Sequence, residues 1–248
     1  MPGVLAHALG RLPPGALLLS VLTFGSYLMG LLRDRVFART FGAGEDLDVY
    51  NAALVLPELV LDILVLAGLT AAFVPILLRI EHDDRARALE FARTVVTTGT
   101  LLMAVSSGVL FLVAPWTVDI VAPGFDAAQA ERYTLLFRQM CLTSLVFAVS
   151  FALGELLVAR QRFLAYGVAP LLYNLGIVLG TLLLAPSMGI EGVAIGTLTG
   201  ALLHLAVRVV GVGRAGFRVR PALALRTPEF RSSSGCRCHG RSPSRSRR

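Results

Sequence analysis

The chain has 248 residues, 55% hydrophobic and 16% charged, with a mean hydropathy of +0.72; soluble domains carry about 25% charged residues, so a water-soluble globule is excluded. The net charge of +7 does not argue for nucleic acid, because six of the 23 basic residues fall between Arg231 and Arg248 with no acid among them. The first 230 residues hold 17 Arg against 16 acids, and the absence of Lys points to a GC-rich gene rather than to guanidinium chemistry.

In chain order, residues 1–14 read as a short cytoplasmic segment and 15–212 as a lobe of about six transmembrane helices. Residues 213–248 read as a basic, unstructured cytoplasmic tail. Each span supplies the roughly 20 apolar residues that a hydrocarbon core of about 30 Å requires. The first, Gly15 to Leu32, opens after the Pro13-Pro14 pair and stops at Arg33-Asp34-Arg35. No small-residue cleavage site follows it, so it reads as a retained helix and not a signal peptide. After Phe41-Gly42-Ala43-Gly44 the second span covers Val49 to Leu78, with Pro57 and Pro75 inside a tilted or kinked helix. Arg79 to Arg93 reads as a charged connector. The third span, Thr94 to Val118, ends at the turn Ala122-Pro123-Gly124-Phe125. The remaining spans are Thr134 to Gly154, Leu164 to Pro186, and one from the Gly189–Gly192 turn to Val212.

Arg counts in alternate loops place both termini on the cytoplasmic side. The exception is the first outer loop with Arg33, Arg35 and Arg39. Within spans, where a charge costs at least about 2.5 to 3.5 kcal/mol, the ionisable residues are few. Glu58 and Asp62 lie four apart on one helix face, about 15 and 21 Å into the second span, and suit a cavity or ion coupling. Arg138 either joins that cavity or, like Arg208, snorkels from near a span end. His204 and Arg208 share a face of the last span. Gly176, Gly180, Gly192, Gly196 and Gly200 allow close helix contacts, expected inside one lobe rather than in a homodimer. Cys236 and Cys238 lack the second ligand pair a metal site needs, so no metal or cofactor is expected. No phosphate loop, His-Glu-x-x-His or Gly-x-Ser-x-Gly motif occurs, which argues against an enzyme.

Several short strings fall in a specific order. They are Gly30-Leu31-Leu32-Arg33-Asp34, Phe41-Gly42-Ala43-Gly44 with Asp48 four residues on, Leu56-Pro57, and Ala72-Phe73-Val74-Pro75-Ile76-Leu77. Ala122-Pro123-Gly124-Phe125, Arg162-Phe163 and Ala169-Pro170-Leu171-Leu172-Tyr173-Asn174 follow. Together they resemble the MurJ/MviN family of lipid II flippases, in the MOP transporter superfamily, over about Leu17 to Val212. The resemblance implies an all-α integral membrane protein forming the N-terminal lobe of a two-lobe transporter. It implies a bacterial inner-membrane location, membrane lipids as surroundings, and an undecaprenyl-linked peptidoglycan precursor as cargo, flipped by alternating access. Arg33 would meet the diphosphate; Arg138, from its own place in the fourth span, is the other candidate for substrate binding. Asp34 and Asp48 would stand at the outward gate.

The chain departs from the family at Tyr27, where an Arg is usual, and at Leu61, Asp62 and Leu66, where the family has an Arg pair and an acid. Its cavity would be less cationic and partly acidic. After Pro228-Glu229-Phe230 the text turns into Arg231-Ser-Ser-Ser-Gly-Cys and Ser/Arg repeats, which reads either as a frame-shifted continuation or as a basic tail for anionic lipid. The expected function is lipid-linked glycan flipping by a truncated or half-length member, completed by a missing C-terminal lobe or a second copy. The alternatives are a multidrug or ion antiporter of the same superfamily and a non-transporting scaffold or remnant.

Overall fold

The computed structural model describes residues 14–68 and 73–216. Arg11, Cys236, Cys238 and the Ser/Arg tail lie outside the described residues. Eight helices account for nearly all of those described: α1 (Pro14–Thr40), α2 (Glu45–Gly68), α3 (Phe73–Asp83), α4 (Arg85–Val121), α5 (Ala127–Ala159), α6 (Phe163–Leu183), α7 (Ala185–Met188) and α8 (Ile190–Arg214). Among the described residues α1, α4, α5, α6 and α8 are each long and apolar enough to cross a membrane. Helix α2, at 24 residues, is long enough by its rise.

The expected second span, Val49 to Leu78, is described in two pieces, within α2 to Gly68 and in α3 from Phe73. Pro75 lies in α3. The connector from Arg79 to Arg93 is helical except at Asp84, whose carboxylate accepts from the Ala86 and Arg87 backbone N–H groups at 2.8 and 3.2 Å and so starts α4. Charge there marks a cap between helices, and α4 then runs 37 residues, about 56 Å, well past the hydrocarbon core.

Turn chemistry sets the other boundaries. Helix α1 ends at Gly42, at φ +64°, whose N–H bonds Ala38 O; Gly44 O then accepts from Leu47 and Asp48, opening α2. Pro123 and Gly124 form the exposed turn before α5, whose start is a reciprocal capping box between Asp126 and Gln129. Gly189, at φ +60°, lets the single turn of α7 lead back into α8.

Helix α5 is central, packing against α2, α4 and α8, while α1 leans on α6. The tightest pair is α6 and α8: a Cβ on Gly176 would lie 2.4 Å from Gly200 Cα, and one on Gly180 2.5 Å from Gly196 Cα. The glycine stripe is therefore used up inside the lobe, as its spacing suggested. Outward faces stay apolar, with Val21, Phe24 and Leu31 on α1 and Trp116 and Ile120 on α4 all exposed, as lipid contact demands.

Because successive long helices run in opposite directions, the core falls into two end clusters. One gathers Phe37, Tyr50, Val118, Tyr133 and Phe137. The other gathers Phe73, Leu77, Phe91, Leu156 and Val212. Between them lies only the small group of Leu61, Met103 and Ala148. The smaller of two polar hollows opens in that thin middle, beside Leu61, and the larger reaches the end that holds Phe37 and Tyr50.

Candidate functional site

Arg33, near the end of α1, is the best-placed cation. Its Nε and one terminal nitrogen donate to Asp34 Oδ1 at 3.0 and 2.9 Å, and the other terminal nitrogen donates to Asn174 Oδ1 at 3.2 Å. Asn174 Nδ2 in turn donates to Pro170 O at 3.1 Å, which fixes the amide so that its oxygen faces the guanidinium. Asn174 is buried, whereas the Arg33 and Asp34 side chains are 31% and 59% exposed. The guanidinium is thus anchored from behind by a neutral group and held in front by a carboxylate that water can reach.

Arg33 and Asp34 open onto a hollow of about 470 Å³, walled also by Tyr50, Asn51, Glu58 and Tyr173. The Tyr50 hydroxyl lies 2.8 Å from Thr197 Oγ1, and its ring packs edge-on to Phe37, so that wall is rigid. A second hollow of about 250 Å³ adjoins it, sharing Leu54, Glu58 and Tyr173 and adding Asp62, Thr143, Ser144 and His204. Arg33, Asp34, Glu58, Asp62 and Asn174 therefore belong to one continuous polar region. Asp48 lines neither hollow. It is exposed in the first turn of α2 beside Glu45 and Asp46, where acids favour the helix N-terminus, and Asp46 rather than Asp48 is paired, to Arg132 at 2.7 Å.

Arg138 is not brought to Arg33. It borders a separate hollow with Glu131, Arg132 and Glu191, and its Nε donates to Phe111 O at 3.4 Å while the guanidinium sits 5.2 Å over the Phe111 ring. The reason lies in α4: Pro115 cannot donate to the carbonyl four residues back, which is that of Phe111, and Arg138 fills the vacancy.

Arg208 does not snorkel. It is 2% exposed, donates to Ser150 O at 2.8 Å, and stands 5.4 and 5.0 Å from the rings of Phe151 and Tyr166. Gly154 leaves the guanidinium its room, since a Cβ there would meet it at 2.5 Å and force it to shift. His204, one turn earlier, has Nδ1 2.7 Å from Ser150 Oγ.

Of the motif positions, Gly42 and Gly44 shape the α1–α2 turn beside the larger hollow, and Pro170 and Asn174 hold Arg33. Pro57 is buried within α2 between the hollow-lining turns, while Pro75 in α3 and Pro123 and Gly124 in the turn before α5 line neither hollow. Sequence reasoning missed Tyr50, Asn51 and Tyr173 as walls. The available signal was a polar side chain recurring within apolar runs.

The family profile described as "Lipid II flippase MurJ" matches residues 37–233. A probable lipid II flippase MurJ of Haemophilus influenzae is 30% identical over 219 residues, covering 83% of this chain and 42% of that protein. The corresponding protein of Vibrio cholerae is 28% identical over 231 residues, covering 88% and 44%. That of Borreliella burgdorferi is 23% identical over 214 residues, covering 86% and 42%. A solved structure described as lipid II flippase MurJ in an inward closed conformation has a TM-score of 0.68 at 20% identity, over 88% of this chain and 46% of that one, a likeness of fold. The chain spans less than half the length of these relatives.

Proposed function

The chain belongs to the lipid II flippase MurJ family, and on that footing we propose that it forms one lobe of a transporter for lipid II or a related polyprenyl-diphosphate-linked glycan. The cargo crosses the bacterial inner membrane by alternating access, with both termini of the lobe cytoplasmic. A second lobe, from further chain or a second copy, completes the cavity. The family is one of transporters, and no covalent step is invoked.

The observation that carries this reading is the presentation of Arg33. A guanidinium fork matches the paired oxygens of a diphosphate, and here the fork is aimed into a hollow by Asn174 instead of being consumed by buried acids. Asp34 occupies the fork, and an incoming diphosphate replaces one anion with another, so the arginine is never left unpaired. That exchange is the role proposed for Asp34 at the outward gate. Asp48, in the first turn of α2, sits at the rim of the same turn.

The test is binding of undecaprenyl diphosphate to the full chain in lipid nanodiscs. Arg33→Gln is expected to weaken binding about tenfold or more, the scale of a charge-assisted pair, and Arg33→Lys to recover it only in part because an ammonium lacks the fork. Wild-type affinity in Arg33→Gln overturns the assignment. Arg138→Gln is expected to leave binding unaltered, since Arg138 lies at a different hollow.

A further inference from the structure

The two adjoining hollows have opposite charge. Arg33 lines the larger; the smaller is lined by Glu58 and Asp62 and by no arginine. The two acids stand one turn apart on α2, about 6 Å along its axis, and both are exposed at the mouth. Thr143 and Ser144 of α5 form the opposite wall.

At the back is His204, 2% exposed. Its Nδ1 is engaged with Ser150 Oγ, and among the described residues Nε2 has no hydrogen-bond partner. With Nδ1–H donated to Ser150, Nε2 carries the ring's lone pair, and the ring lines the hollow. Phe147 packs edge-on to both His204 and Tyr173 and contributes aromatic surface. Arg208 stays behind this wall, bonded to Ser150 O.

Carboxylates, a nitrogen lone pair, hydroxyls and aromatic rings form an environment for an ammonium group. We infer that the smaller hollow binds a positively charged amine on the same lipid-linked head group whose diphosphate meets Arg33. The inference rests on the proposed reading of the Arg33 hollow. A head group is favoured over a bare ion on three grounds. Glu58 and Tyr173 line both hollows, so one molecule can span them. About 250 Å³ is several times the roughly 30 Å³ share of a water molecule. No three His, Cys, Asp or Glu side chains converge closely enough, among the described residues, to hold a metal ion. Glu58 and Asp62 thereby select among polyprenyl-diphosphate cargoes by head-group charge.

The experiment compares two probes on the unaltered full chain in nanodiscs. One is a polyprenyl-diphosphate-linked disaccharide peptide with a free lysine ε-amine; the other is the same molecule acetylated on that amine. The free amine is expected to bind about tenfold more tightly, as a charge-assisted contact predicts. In Asp62→Asn and in Glu58→Gln the two probes are expected to bind alike, while Asp62→Glu restores the preference. Equal affinity of both probes for the wild type overturns the inference while leaving the diphosphate site intact. Failure of both probes and of undecaprenyl diphosphate to bind overturns the underlying reading instead. Sodium- or proton-dependent binding that vanishes in Asp62→Asn, without amine discrimination, assigns the acids to a coupling ion and also overturns the inference.

Discussion

The two ends of the lobe solve the problem of polar groups in an apolar bundle differently. At the Tyr133 end, neutral hydroxyls satisfy one another: Tyr50 with Thr197 at 2.8 Å, and Tyr133 with Thr117 at 3.1 Å. Its ion pairs, Asp46 with Arg132 and Asp34 with Arg33, keep their side chains 31% to 59% exposed. At the Phe73 end charge goes inside, with Arg208 between two rings and Glu81 paired to Arg160 at a quarter exposure or less. Hydroxyl pairs need no desolvation of charge and tolerate tight packing, whereas a buried guanidinium needs a cleared space, which is why Gly154 faces Arg208.

This contrast can be broken from either side. The largest effect is expected from Gly176→Ala at the Tyr133 end, because the new Cβ meets backbone at 2.4 Å and neither helix can yield without parting. A loss on the order of 3 kcal/mol is expected in detergent-solubilised unfolding. Gly25→Ala, whose Cβ would touch only Leu171 at 3.5 Å, serves as its neutral counterpart. Next comes Gly154→Ala at the other end, about 2 kcal/mol, since the obstacle is the far end of a side chain that can shift. Combining it with Arg208→Met should recover most of that loss, and a double mutant as unstable as Gly154→Ala alone would refute the packing explanation. Tyr50→Phe removes one buried hydroxyl pair and is expected to cost about 1 kcal/mol, independent of salt. Smallest is Asp46→Asn, within about 0.5 kcal/mol and vanishing at high salt, where Glu81→Gln should keep a measurable cost.

How much was legible follows from what each residue needs. Local chemistry could be read directly: the Gly42–Gly44 turn, the glycine stripe of α6 and α8, and the shared face of His204 and Arg208 all depend on spacing within a few residues. The charged connector read from Arg79 to Arg93 did not name Asp84 as a cap, although an Asp before a helical run is a local signal. What could not be read is which partner completes a polar group across the bundle. Nothing near Arg208 in sequence names Ser150, and nothing near Arg33 names Asn174, 141 residues away. The spacing of the α2 acids put them on one helix face, and both line one hollow, while the split of their surroundings into two hollows depended on Tyr173, contributed by α6.

The contact between Arg138 and Phe111 O makes two distant positions answerable to one another. Proline at 115 creates a lone carbonyl, and arginine at 138 is its remedy. A relative with any other residue at 115 regains the helical bond and frees position 138 to drift, whereas a relative keeping the proline but not the arginine must bring another donor to that carbonyl. Substitutions at 115 and 138 should therefore arise as a pair through descent, an inherited signature of a single missing N–H.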